Sequence, residues 1–124
     1  MINGFEKQTE PLTEYEQYVL LPIMVKCLER KYGKENAVTN AIMCSKLSER
    51  GYKVGEARIR KIINHIRVNS LIPCLMATSA GYYISKNAVE IRDYIASLKG
   101  REEAICAVRI ALENQLKELL TDTA

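Results

Sequence analysis

The sequence predicts a mainly α-helical chain of the α+β class, and three observations carry that expectation. Ile59, Ile62, Ile63 and Ile66 recur at i, i+3, i+4 and i+7, which gathers branched apolar side chains on one side of a helix. Leu71-Ile72-Pro73-Cys74-Leu75-Met76 and Tyr82-Tyr83-Ile84 have strand composition and flank Ala77-Thr78-Ser79-Ala80-Gly81, a small-residue turn closed by Gly. Ile91, Tyr94, Leu98, Ile105, Val108, Leu112 and Leu119 then step by threes and fours along one long helical pattern, interrupted by Arg101 and Gln115. A basic helix followed at once by a hairpin is the order of a recognition helix and its wing. The expected architecture is therefore a winged helix-turn-helix with a small β-hairpin wing and a long C-terminal helix.

Length and composition bound the organisation. With 124 residues and 48% hydrophobic side chains, the chain suffices for one buried core but not two. We expect a flexible N-terminal arm over 1–12, a winged-helix domain over 13–99 and a helical extension over 100–124. The N-terminus lacks a basic region and an apolar region of the kind that marks a leader, and no apolar run approaches the ~20 residues of a membrane-spanning helix. A soluble, cytoplasmic protein with no membrane partner is expected. Cys27, Cys44, Cys74 and Cys106 lie far apart, with no C-x-x-C pair and a single His in the chain, so they read as reduced core cysteines and not as a metal site.

Taken in order, Thr13-Glu14-Tyr15-Glu16 matches a capping box and opens a helix whose apolar positions are Tyr18, Leu21, Val25, Leu28 and Tyr32, ending at Gly33. Pro22 lies inside it and predicts a kink or a late start to the regular helix. Ala37-Val38-Thr39 reads as a short strand able to pair with the hairpin. Thr39 or Asn40 caps a second helix with Ile42, Met43, Leu47 and Cys44 facing inward, ended by Gly51. Tyr52-Lys53-Val54-Gly55 turns into the Arg58 helix. Ser85 or Asn87 opens the long helix, which runs to about Leu120. Gly100 is expected to bend or divide it, since Gly costs about 1 kcal/mol against Ala in a helix interior. The part before Gly100 is expected to pack on the domain.

Charge is unevenly placed. The chain carries +3 in total, yet residues 50–70 hold Arg50, Lys53, Arg58, Arg60, Lys61 and Arg67 against Glu56, a local excess of six minus one. Clustered cations of this kind displace condensed counterions from phosphates. In a major groove, Arg58 and Lys61 reach guanine O6 and N7, Asn64 offers the donor–acceptor pair that suits adenine, and Arg60, His65 and Arg67 meet bases or phosphates. The alternative is a solvated basic face on an ordinary surface helix. Thr78 and Ser79 either donate to phosphate from the wing or only shape its turn. Of Tyr82 and Tyr83, one is expected in the core and the other partly exposed.

Chemistry finds little support. Asp93 and Asp122 are the only aspartates, and no phosphate loop, nucleophile elbow or paired metal-ligand motif is present. No enzyme activity, catalytic residue, metal or cofactor is expected.

The segment from Ala57-Arg58-Ile59-Arg60-Lys61-Ile62-Ile63-Asn64-His65-Ile66-Arg67 through Leu71-Ile72-Pro73 and Ala77-Thr78-Ser79-Ala80-Gly81-Tyr82-Tyr83-Ile84 resembles phage and prophage-type winged-helix proteins. Leu21-Pro22, Gly33-Lys34-Glu35-Asn36-Ala37 and Gly51-Tyr52-Lys53-Val54 extend the resemblance over about Thr13 to Leu98. It implies a small DNA-binding module of a mobile element, acting in transcription regulation or replication. Such proteins tend to carry a basic residue beside the wing Gly, where this chain has Ala80. Lys86, at the base of the hairpin, is the substitute.

The expected partner is double-stranded DNA, bound by a homodimer joined through Ile105, Val108, Leu112, Leu116 and Leu119 of the extension. The alternative is a non-enzymatic winged-helix module docking a protein of replication or phage assembly.

Overall fold

A computed structural model describes residues 10–122, so the arm expected over 1–12 lies, up to Thr9, outside the described residues. The described chain is mainly helical, with a small antiparallel hairpin and one long C-terminal helix. It divides into two compact units, one ending at Lys86 and the other beginning at Asn87.

The first unit starts with the capping box. Thr13 Oγ1 accepts from the Glu16 backbone N–H at 3.1 Å, and the Glu16 carboxylate accepts from the Thr13 N–H at 2.9 Å. The helix then passes through a π-helical turn, Glu16–Leu20, before regular α1, Leu21–Leu28, with Pro22 in its first positions. This is the late start expected from Pro22, whose missing N–H and bulky ring favour a wider turn just before it. The wider turn also shifts the phase of the buried face. Instead of Tyr18, Leu21, Val25 and Tyr32, the fully buried positions are Leu20, Met24 and Leu28, four apart, with Glu16 continuing the series; Tyr18 is 74% exposed.

Helix α2, Asn40–Glu49, is capped by Thr39, whose Oγ1 accepts from Ile42 N at 3.2 Å. Met43 and Leu47, one turn apart, are buried and Cys44 is half-buried. Ile42 corrects the expectation: one residue before Met43 is about 100° off the buried direction, and the side chain is exposed. After Gly51 comes α3, Glu56–Val68, with Ile59, Ile62, Ile63 and Ile66 buried as their spacing predicts.

Strands β1, Leu75–Thr78, and β2, Gly81–Ile84, pair antiparallel with Leu75 opposite Ile84 and Thr78 opposite Gly81. The hairpin is tighter and β1 shorter than the sequence suggests. Pro73 has no N–H to give a ladder and Cys74 takes φ +62°, so the strand begins only at Leu75. Val38 pairs with the free edge of β2, exchanging bonds with Tyr82 at 2.9 and 2.8 Å, and Ile84 bonds to Lys31 and Gly33. Tyr82 and Tyr83, on opposite faces of β2, are both buried, where one was expected to be partly exposed; Tyr82 Oη donates to Asn40 Oδ1 at 2.6 Å.

The second unit is α4, Ala88–Asp122, opened by Asn87, whose Oδ1 accepts from Val89 N and Glu90 N. The helix continues through Gly100 without the expected division, and none of its described residues is buried. Among the described residues, no helix is long and apolar enough to cross a membrane.

Candidate nucleic-acid interface

The basic residues of α3 separate into two flanks. Lys61 and Arg58 lie on the flank toward the capping box. Lys61 Nζ donates to Glu16 Oε1 at 2.7 Å and Arg58 Nε donates to Glu16 Oε2 at 2.8 Å. Lys61 is only 8% exposed, so the reach toward guanine expected of it is not compatible with its position. The Arg58 guanidinium also sits 5.4 Å from the centre of the Tyr15 ring, and its side chain remains 41% exposed.

Glu16 is thus the residue that sequence reading missed. In sequence Glu16 is half of a capping box, and Glu56 is the acid that stands among the cations of residues 50–70. The Glu16 side chain is 3% exposed and carries three charge-assisted or backbone bonds. Burial pushes this carboxyl upward, but the Lys61 ammonium, the Thr13 backbone N–H and the Arg58 guanidinium outweigh it and hold the pKa at about 2. The detectable signal was the four-residue series Glu16, Leu20, Met24, Leu28, which puts Glu16 on the buried face.

The other flank faces the hairpin. Arg60 is exposed and Asn64, one turn on, is half-buried. Arg67 donates through Nε to the Leu75 carbonyl at 3.1 Å, which ties the last turn of α3 to the first residue of β1. This bond links the C-terminal end of the helix to the base of the hairpin. His65 is half-buried, with Nδ1 3.4 Å from Asn69 Nδ2, while Asn69 also donates to the His65 carbonyl at 2.9 Å.

At the hairpin, Thr78 Oγ1 accepts from the Ala80 backbone N–H at 3.1 Å, so this hydroxyl shapes the turn. Ser79 is exposed at the tip. Lys86 is exposed at the hairpin base with Nζ 4.1 Å from the centre of the Tyr32 ring, a cation–π contact that fixes its direction. In the second unit, Ile105, Val108, Leu112, Leu116 and Leu119 are all more than half exposed.

Two further clefts lie elsewhere. One of about 320 Å³ lies between α1 and α2 and is lined by Lys26, Cys27, Lys46 and Arg50 among others, with Lys46 Nζ 3.6 Å from Cys27 Sγ. The other, of about 400 Å³, borders Ser45, Ser48 and Lys53. Among the described residues no group of His, Cys, Asp and Glu is arranged to hold a metal ion.

Comparison of the chain with protein-family models, with curated proteins and with solved structures finds no match.

Proposed function

We propose that this chain is a winged-helix DNA-binding protein of phage or mobile-element type, a transcriptional regulator or replication-associated factor acting as a dimer. The observation that carries this reading is that exposed Arg60 and half-buried Asn64 share one flank of α3 with Arg67, whose Nε bond to the Leu75 carbonyl ties that flank to the hairpin. The order of a capped short helix, a turn, a basic helix and a hairpin supports it.

In this reading Arg60 and Asn64 meet base edges, taking the place first expected of Arg58 and Lys61. Arg58 borders the groove and serves a phosphate. Ser79 and Lys86 approach the backbone from the hairpin, and α4 joins two copies so that each presents one basic surface. Neutralising several phosphates makes affinity fall steeply with salt.

The test is fluorescence anisotropy of a labelled mixed-sequence duplex at several salt concentrations. Steep weakening with salt supports the reading. Absence of binding even at low salt overturns it and favours the protein-docking alternative, for which the turn Thr78-Ser79-Ala80-Gly81, lacking any cation, is the specific feature.

A further inference from the structure

Five heptads of α4 place Ile91, Leu98, Ile105, Leu112 and Leu119 at one recurring position, a, and Tyr94, Arg101, Val108, Gln115 and Asp122 three residues later, at d. Leu98, Ile105, Val108 and Leu112 on this seam are exposed by 41, 70, 60 and 58%. We propose that α4 pairs with α4 of a second copy of this chain in an antiparallel coil, in which Ile105 faces the partner's Val108. This deepens the dimer in the reading above; its tests involve no DNA, so either can fail without the other.

Charge decides the direction. A parallel, in-register pair sets each d residue on itself, with Arg101 against the partner's Arg101 and Asp122 against the partner's Asp122, like charges in the seam. An antiparallel pair sets a against d, so Arg101 faces the partner's Leu112. There its apolar stem packs while the guanidinium reaches water.

The flanking position e fixes the register. It holds Ile95, Glu102, Arg109 and Leu116. With Ile105 opposite the partner's Val108, Glu102 lies beside the partner's Arg109, and Ile95 lies beside the partner's Leu116. Two-fold symmetry repeats each pair. Sliding one copy by a heptad in either direction brings Glu102 against the partner's Glu102, or Arg109 against the partner's Arg109. On the opposite flank, between Glu90 and Glu118, the central residues Ser97, Ala104 and Ala111 are small enough for the helices to approach closely there. Arg109 already bonds Glu113 of its own helix at 2.6 Å, and a guanidinium with five N–H groups serves a second carboxylate as well.

The arrangement has a geometric consequence. At 1.5 Å per residue, the helix is roughly 50 Å long, so the two copies of Ala88 stand at opposite ends of the coil; a parallel pair brings them within about 10 Å.

The test uses the full chain. Two differently tagged variants, Leu98→Cys and Gln115→Cys, are mixed, mildly oxidised and digested, and the joined peptides are identified by mass. Disulfides between positions 98 and 115 are expected; disulfides joining 98 to 98 and 115 to 115 overturn the proposal. Glu102→Arg and Arg109→Glu alone are each expected to weaken the dimer severalfold, and the double exchange to restore it. A double variant no tighter than the singles overturns the register. Light scattering of the unmodified chain should give a dimer, and a monomer or a trimer at micromolar concentration overturns the pairing itself.

Discussion

Glu16 Oε1 accepts a hydrogen bond from Lys61 Nζ at 2.7 Å across 45 residues of chain. The same carboxylate caps its own helix and holds Arg58 through the other oxygen. One buried acid therefore joins the start of the chain's first helix to the basic helix. Its one charge offsets one of the two cations on that flank and keeps Lys61 buried, while Arg60 on the other flank stays exposed.

Removing the acid should be costly. Glu16→Ala leaves Lys61 buried without its counter-charge, which typically costs about 3–5 kcal/mol. Urea denaturation at neutral pH measures it. Replacing both partners by apolar side chains, Glu16→Leu with Lys61→Met, should recover a large part of the loss, because neither desolvated charge then remains. A double variant as unstable as Glu16→Ala would mean that the pair contributes mainly through the cap.

The pair also sets an acid limit. Glu16 has its pKa lowered from 4.5 to about 2 by folding, so the unfolded chain takes up its proton first as pH falls. The resulting stability, on the order of 3 kcal/mol, is fully present above about pH 4.5 and is lost as pH falls through about 2. The gap in denaturation midpoint between the native chain and Glu16→Gln should accordingly narrow between those limits. A gap of constant size would remove Glu16 as its source.

Gly81 has φ +118°, and a Cβ there would meet the Val38 carbonyl oxygen at 2.7 Å. Gly81→Ala thus combines a disfavoured backbone with a clash against the segment that closes the edge of β2. A loss of about 1–3 kcal/mol is expected, read as a lower thermal midpoint. Hydrogen exchange should show the Val38 and Tyr82 amides, each of which donates to the other residue's carbonyl, losing protection first. Unchanged protection at both would contradict the close approach.

DNA affinity should distinguish the two flanks of α3. Arg60→Ala is expected to lower affinity by about 5- to 150-fold, the range for loss of a base contact of about 1–3 kcal/mol. Lys61→Met paired with Glu16→Leu should leave affinity within about twofold, since Lys61 is buried and cannot reach a duplex. Anisotropy titrations at one fixed salt concentration compare them. Equal losses in both would show that the flank assignment is wrong.

Much of the local structure was legible because it is encoded within a few residues. The Thr13–Glu16 box, the delay imposed by Pro22, the Thr39 and Asn87 caps and the isoleucine face of α3 all depend on neighbours within one or two helical turns. The limits of β1 are less legible, since Leu71 and Ile72 have strand composition but Pro73 lacks an N–H and Cys74 takes a positive φ before pairing starts. At Gly100 the propensity cost is small beside the helix-forming residues on both sides, and α4 continues through it undivided.

The order of elements, their caps and the concentration of cations between residues 50 and 70 are set by local residue pattern. Which cations face out, and whether Tyr82 and Tyr83 are both covered, is settled by long-range packing. Those outcomes depend on groups brought from far along the chain, Glu16 against Lys61 and Val38 against Tyr82. A period of four through Glu16, Leu20, Met24 and Leu28 specifies a buried face, but desolvation and charge pairing across the fold determine what a carboxylate on that face does.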